Sequence, residues 1–95
     1  MLELVRKALR ITTTSFDDEL QLEINAALLD LGVAGVTEGV LTEDADALVK
    51  LAVITYCKMR FGEPDEYDRL KASYDEQKAQ LVTCTGYTDW GEGIG

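Results

Sequence analysis

Residues 45–61 read ADALVKLAVITYCKMRF, and this stretch decides the fold of the 95-residue chain. If it is drawn as a helix, apolar side chains lie on nearly every side, and the interruptions are Lys50, Thr55, Lys58 and Arg60. A helix that is apolar nearly all round is buried, with other elements on several of its sides. With three basic side chains in 17 residues, it is too short and too charged to span a membrane. The pattern therefore predicts a buried central helix over about residues 44–61.

Helix-boundary signals flank this stretch on both sides. Thr42 or Asp44 can accept hydrogen bonds from the first free backbone N–H groups of the helix. At the other end, Gly62 is expected to adopt the left-handed conformation that closes many helices, and Pro64 prevents continuation. These signals favour a helix over a strand of unusual length.

Periodic apolar residues predict three further helices, over residues 2–10, about 16–31, and 64 to about 83–85. The second of these has a core stripe, made of Phe16, Leu20, Ile24, Ala27, Leu28 and Leu31. Thr14 or Ser15 is expected to cap its start, with Ser15-x-x-Asp18 resembling a capping box, and Gly32 to end it. The sequence thus predicts an all-α fold, a small bundle of about four helices around the buried central helix.

The second helix carries another apolar stripe, made of Leu22, Ala26 and Leu29, and therefore contacts something on two sides. The connection that follows, residues 33–41, adds the valines Val33, Val36 and Val40. We expect these six residues to be candidates for a subunit interface. For the valines, folding back onto the core is the favoured alternative.

The composition is strongly acidic. Eighteen acidic residues against nine basic ones give a net charge of −9 on a chain long enough for one domain. Because phosphate contacts need Lys and Arg, such a chain is a poor candidate for gripping nucleic acid. The basic cluster Arg6, Lys7 and Arg10 is the one candidate for such a contact, and a solvated helix face is the favoured interpretation. Pairing with acidic residues of a neighbouring copy is a further alternative.

Residue types argue against catalysis and metal binding. The chain has no histidine, its two cysteines do not form a C-x-x-C pair, and its carboxylates cluster where helices begin and stabilise the helix dipole. An EF-hand loop counted from Asp44 would need Gly and Glu where Val49 and Thr55 stand. We therefore predict no catalytic residues, no metal and no cofactor. The first residues lack the apolar run of a signal peptide, which indicates a soluble cytoplasmic product.

The segment 86–95, GYTDWGEGIG, has no periodicity and is predicted to be a flexible tail beyond a helical domain of residues 1–85. Tyr87 and Trp90 have little to pack on within such a tail. Since Trp and Tyr often anchor interfaces, the tail is expected either to bind a partner or to fold back over the bundle.

The order of these features resembles the head-tail connector family of tailed bacteriophages and prophages. The resemblance rests on LVRKALRI, on TTTSFDDEL opening a helix that ends ALLDLGVAGV, on LVKLAVITYCKMRFGEPDEYDRLKASYDEQKAQL, and on the closing TGYTDW. It covers residues 2–90. These motifs are patterns of helices, caps and glycines, and their order and spacing carry the likeness.

The resemblance implies a structural virion protein. Such proteins assemble as a homo-oligomeric ring, about twelve-fold, beneath the portal protein at one capsid vertex. The ring forms part of the DNA channel and docks a stopper or tail-completion protein, and DNA passes through without sequence-specific binding. The C-terminal segment, with Tyr87 and Trp90 as anchors, would reach the portal. The protein would be made in the host bacterial cytoplasm and would not enter a membrane.

A second interpretation belongs to another class. The chain could be a small acidic helical regulator or adaptor that acts as a monomer or dimer. It would bind DNA through the first helix or a basic protein through its acidic face, and a gel shift would separate it from the connector.

Overall fold

The computed structural model describes residues 1–36, 41, 46–62 and 64–83. In this part of the chain the elements are α1 (Leu2–Ala8), α2 (Asp17–Ala34), α3 (Ala47–Phe61) and α4 (Tyr67–Thr83), with a 3-10 turn at Pro64–Glu66. No strand occurs within these ranges. The prediction of an all-α fold with four helices is confirmed.

The core lies between α3 and the other three α-helices, all of which α3 contacts. Its buried residues are Val5 of α1, Leu20, Ile24, Ala27 and Leu31 of α2, Val49, Ala52, Val53 and Cys57 of α3, and Tyr74 and Leu81 of α4, with Val36 from the connection after α2. The side of α3 that faces away from the core is exposed to solvent, as the 50% exposure of Leu51 shows. Thus α3 is less enclosed than its composition suggests.

The end of α2 differs from the prediction. The helix runs through Gly32 to Ala34, and Gly35 takes the left-handed conformation with φ 116°. The N–H of Gly35 donates to the carbonyl of Gly32, and the N–H of Val36 donates to the carbonyl of Leu31. This pair of bonds is the Schellman closure, in which the residue after the glycine packs against the last turn. Val36 is therefore drawn into the core.

Both boundaries of α3 also differ from the sequence-based expectation. Asp46 caps the start, and its carboxylate accepts hydrogen bonds from the N–H groups of Leu48 and Val49. Gly62 is extended, with φ −86° and ψ −177°, and is not left-handed. A glycine is still needed there, because a Cβ would collide with the carbonyl oxygen of Lys58. Thr42 and Asp44 lie outside the described residues.

The start of α2 has no side-chain cap. Phe16 occupies the N-cap position and is 44% exposed, so the expected capping box does not form and Phe16 is not a core residue. Asp17 of the first turn instead accepts two hydrogen bonds from Arg6 of α1, at 3.1 and 3.0 Å. This half-buried, bidentate pair joins the two helices across the break between them.

Candidate functional site

Among the described residues, the most exposed apolar surface is a stripe on α2, which we call the α2 stripe and define as Leu22, Ala26, Leu29 and Val33. Leu22, Leu29 and Val33 are 66%, 70% and 81% exposed, and Ala26 is half-buried. The spacing of four, three and four residues places all four side chains on one face of the helix. The core residues of α2 lie on the opposite face, so the α2 stripe points away from the bundle.

Acidic groups border the α2 stripe near the start of the helix. Asp18 and Glu19 are exposed and make no ion pair with a described residue. Glu23 accepts a hydrogen bond from Arg60 of α3 at 2.8 Å. An apolar stripe with an acidic border suits a protein interface whose partner contributes cations at the rim.

The sequence-predicted interface residues separate into three groups. Leu22, Leu29 and Val33 are exposed, with Ala26 between them. Val36 is 3% exposed and belongs to the core. The Schellman closure of α2 places it there, so its side chain is not available to an interface. Val40, Tyr87 and Trp90 lie outside the described residues. The alternative that the valines fold back onto the core therefore holds for Val36 and not for Val33.

A second surface feature is a groove of about 540 Å³ at the end of the bundle where α1 and α3 end and α4 begins. We call it the end groove. Its apolar lining comes from Leu9, Ile11, Phe16, Phe61 and Leu70, and its charged lining from Arg10, Lys58, Glu66 and Arg69. No sequence pattern predicted the end groove, because its residues come from four separate segments that only tertiary packing brings together.

Arg10 in this groove has an unusual backbone. Its φ is 60°, in the left-handed region that residues with a Cβ seldom occupy. The N–H of Arg10 donates to the carbonyl of Lys7, and the N–H of Ile11 donates to that of Arg6. This is the Schellman closure again, with arginine at the position where glycine is most common. The backbone therefore holds Arg10 in this conformation at some cost in conformational energy.

A polar cluster fixes α4 against α2 at mid-bundle. The hydroxyl of Tyr74 donates to a carboxylate oxygen of Asp30 at 2.6 Å, and the ammonium group of Lys78 donates to the same oxygen at 3.2 Å. Lys78 also lies 5.2 Å from the centre of the Tyr74 ring, and Tyr56 contacts that ring edge-on. The pKa of Tyr74 is raised well above its usual value, mainly by burial and to a smaller extent by the hydrogen bond to Asp30. The hydroxyl is therefore a permanent donor at neutral pH.

The described residues offer little for catalysis. Burial raises the pKa of the Cys57 thiol to about 12, so this sulfur is protonated and has no access to solvent. No group of three or more Cys, Asp or Glu side chains within the described ranges is arranged to hold a metal ion. None of the helices in those ranges combines the length and apolar character needed to cross a bilayer.

The chain was compared with known protein families, curated proteins and solved structures. A family described as phage connector protein matches residues 1–88 of the 95. The chain belongs to the phage connector protein family. No curated protein and no solved structure matches it.

Membership in the phage connector family gives the chain a structural role in the head-tail connection of a phage particle. The family is a structural one and is not known for enzymatic activity. A connector is a component of the virion and associates with other head or tail proteins. On the described residues of this connector, the α2 stripe and the end groove are exposed surfaces.

Proposed function

We propose that this connector assembles as a ring of about twelve copies beneath the portal protein at one capsid vertex. The ring forms part of the DNA channel and provides the docking surface for a stopper or tail-completion protein. The observation that carries the proposal is the α2 stripe, whose leucines are two-thirds exposed on a helix whose opposite face is buried. Contiguous apolar surface of this kind marks protein contacts.

A ring requires a heterologous contact, in which one face of each subunit meets a different face of the next. The α2 stripe supplies one of these faces, and it is built on a helix of 18 residues that the core holds in place. Leu22 and Leu29 are two helical turns apart, so one neighbouring element can contact both.

The acidic composition supports a channel that DNA passes through without being held. Six of the nine basic residues are ion-paired within the described part of the chain, so few cations are free to contact phosphate. A wall with net negative charge repels the DNA backbone. If acidic groups face the lumen, added salt should favour ring assembly by screening repulsion between subunits, and assembly that ignores salt would count against such a lumen.

The C-terminal segment is proposed to carry the contact with the portal, with Tyr87 and Trp90 as its anchors. The support is chemical, because Trp and Tyr combine a large apolar area with a polar group and are enriched where proteins bind one another. The location is the virion, after synthesis in the bacterial cytoplasm.

The decisive experiment is the solution mass by light scattering over a wide concentration range, alone and with purified portal rings. We expect a closed oligomer of roughly a dozen copies, either in solution or on the portal. Leu29→Asp should reduce assembly at least tenfold, because a charge in an apolar interface costs well over 1.4 kcal/mol.

The matched control is Leu51→Asp, which changes an exposed leucine on the outer side of α3 and leaves the α2 stripe intact. It should assemble as the unchanged protein does. A chain that is monomeric both alone and with the portal would overturn the proposal, and clear DNA binding in a gel shift would favour the regulator.

A further inference from the structure

The end groove combines an apolar floor with cations that make no ion pair with a described residue. Of the nine basic side chains, Arg10, Lys50 and Lys58 make no ion pair with a described residue, and Arg10 and Lys58 both line the end groove. Arg69, also in the lining, is paired with Glu66. On a chain of net charge −9, this leaves an excess of positive charge at one apolar site. Its chemistry fits a segment that is both aromatic and acidic.

The end groove also lies next to the α2 stripe. Phe61 lines the end groove and, with Leu22, Glu19, Glu23 and Arg60, a smaller depression of about 230 Å³. The two surfaces are therefore continuous through Phe61. A second copy packed on the α2 stripe would have its chain within reach of the end groove.

We infer that, as long as no portal protein is bound, the end groove binds the segment 86–92, GYTDWGE, of a neighbouring copy. In this arrangement the Trp90 ring occupies the apolar floor, and the carboxylates of Asp89 and Glu92 are neutralised by Arg10 and Lys58. The segment has two aromatic and two acidic residues and no basic one, which is complementary to the groove. A volume of about 540 Å³ is within the range of roughly 300–1,000 Å³ typical of binding pockets.

Chain length favours a neighbouring copy over the same chain. The end groove includes Leu70, and α4 then runs 13 residues to Thr83, about 20 Å at 1.5 Å per residue. From Thr83 to Trp90 is seven residues, at most about 24 Å when fully extended. A chain folding back on itself would therefore have almost no slack, and its Tyr87, about 14 Å from Thr83 at most, would stop short. A second copy has no such limit.

The inference rests on the proposed ring, because it adds a contact between its subunits. It is tested with a synthetic peptide of residues 84–95 added to the full chain carrying Trp90→Phe. Trp90 is the only tryptophan in the sequence, so all tryptophan emission then comes from the peptide. We expect a blue shift of the emission that saturates with added chain.

One double variant of the groove and one control variant of that chain carry the test. Arg10→Gly combined with Lys58→Glu should weaken peptide binding at least tenfold, and Arg10→Gly also relieves the left-handed arginine, so loss of fold does not explain the effect. The matched control is Lys50→Glu, an unpaired lysine outside the groove lining, which should change binding less than twofold. Absence of a blue shift, or binding that both variants weaken equally, would overturn the inference.

The unaltered chain distinguishes a neighbouring copy from the same chain. If the segment docks on a neighbour, the Trp90 emission shifts to the blue as concentration rises. A blue emission that persists at high dilution would show that the chain docks its own segment and would overturn the assignment to a second copy. Suppose that light scattering shows a ring in which the double variant of the groove does not change the Trp90 emission. That result would contradict this inference and would still support the proposed ring.

Discussion

Replacing Tyr74 by phenylalanine tests whether the polar cluster holds α4 against α2. The substitution keeps the ring, its contact with Tyr56 and the nearby ammonium of Lys78, and deletes the hydroxyl that donates to Asp30 at 2.6 Å. Tyr74 is 3% exposed, so water does not replace the lost donor. Hydrogen bonds to charged groups contribute roughly 1.5–3 kcal/mol.

The expected cost lies at the lower end of that range. The side chain of Asp30 is 39% exposed and keeps its bond to Lys78, so its carboxylate is not left buried and unpaired. We expect Tyr74→Phe to lower the free energy of unfolding by about 1.5 kcal/mol. For a domain of this size that corresponds to a fall in Tm of roughly 6–12 °C.

The assay is urea unfolding followed by circular dichroism, at a concentration low enough to keep the protein unassembled. The control is Tyr67→Phe on the same helix, where the ring is 40% exposed and the hydroxyl makes no bond with a described residue. It should change stability by less than about 0.5 kcal/mol. A double-mutant cycle with Asp30→Ala, which removes the acceptor, should give a coupling energy of about 1 kcal/mol. If Tyr74→Phe costs less than about 0.3 kcal/mol, the cluster does not stabilise the bundle and the argument is wrong.

Three further outcomes follow from the same structure. Stability should fall above about pH 10, where tyrosine ionises in the unfolded chain, because the raised pKa of buried Tyr74 keeps it protonated in the fold; Tyr74→Phe should flatten the pH profile measured by urea unfolding. Gly35→Ala should cost about 1–2 kcal/mol since φ is 116°, whereas Arg10→Gly, at the corresponding position after α1, should be neutral or stabilising by up to about 1 kcal/mol. In a Cys84→Ser variant, Cys57 should react with a thiol reagent at pH 8 only as fast as the protein unfolds, because the pKa of its buried thiol is about 12.

The sequence was sufficient to predict which residues lie on the buried and on the exposed face of α2, because the 3.6-residue period defines both faces within one helix. The residues predicted to be in the core at Leu20, Ile24 and Leu31 are buried, and the leucines predicted to lie on the other side are exposed. Phe16 shows the limit of this reasoning. It fits the period, but it stands at the N-cap before the helix begins and is 44% exposed.

Helix ends were less predictable because several residues of the right type compete. Gly32 and Gly35 both suit the end of α2, and burial of Val36 after the left-handed Gly35 decides between them. Gly62 was correctly predicted to follow the end of α3, but it does not adopt the predicted left-handed conformation. Glycine is required there because a Cβ would collide with the Lys58 carbonyl oxygen. Such choices depend on packing that local sequence does not specify.

The end groove depends on contacts between distant segments, and no local pattern could have located it. One local signal was nevertheless present, because Arg10 follows a short helix at a position where glycine usually ends it. Arg10 adopts this conformation at a cost and makes no ion pair with a described residue, which fits the electrostatic role inferred for it in the end groove.

The α2 stripe and the end groove both act against the electrostatic repulsion between copies of this acidic chain. Copies that each carry a charge of −9 repel one another, and Asp18 and Glu19 add unpaired charge beside the apolar face that would hold them together. Apolar contact alone must therefore overcome this repulsion, and free chains gain solubility from it. Arg10 and Lys58 of the adjoining end groove make no ion pair with a described residue, and they offset part of the repulsion when a neighbour presents its acidic segment. Repulsion by the whole surface and attraction at one site would together favour the ordered contact over random association.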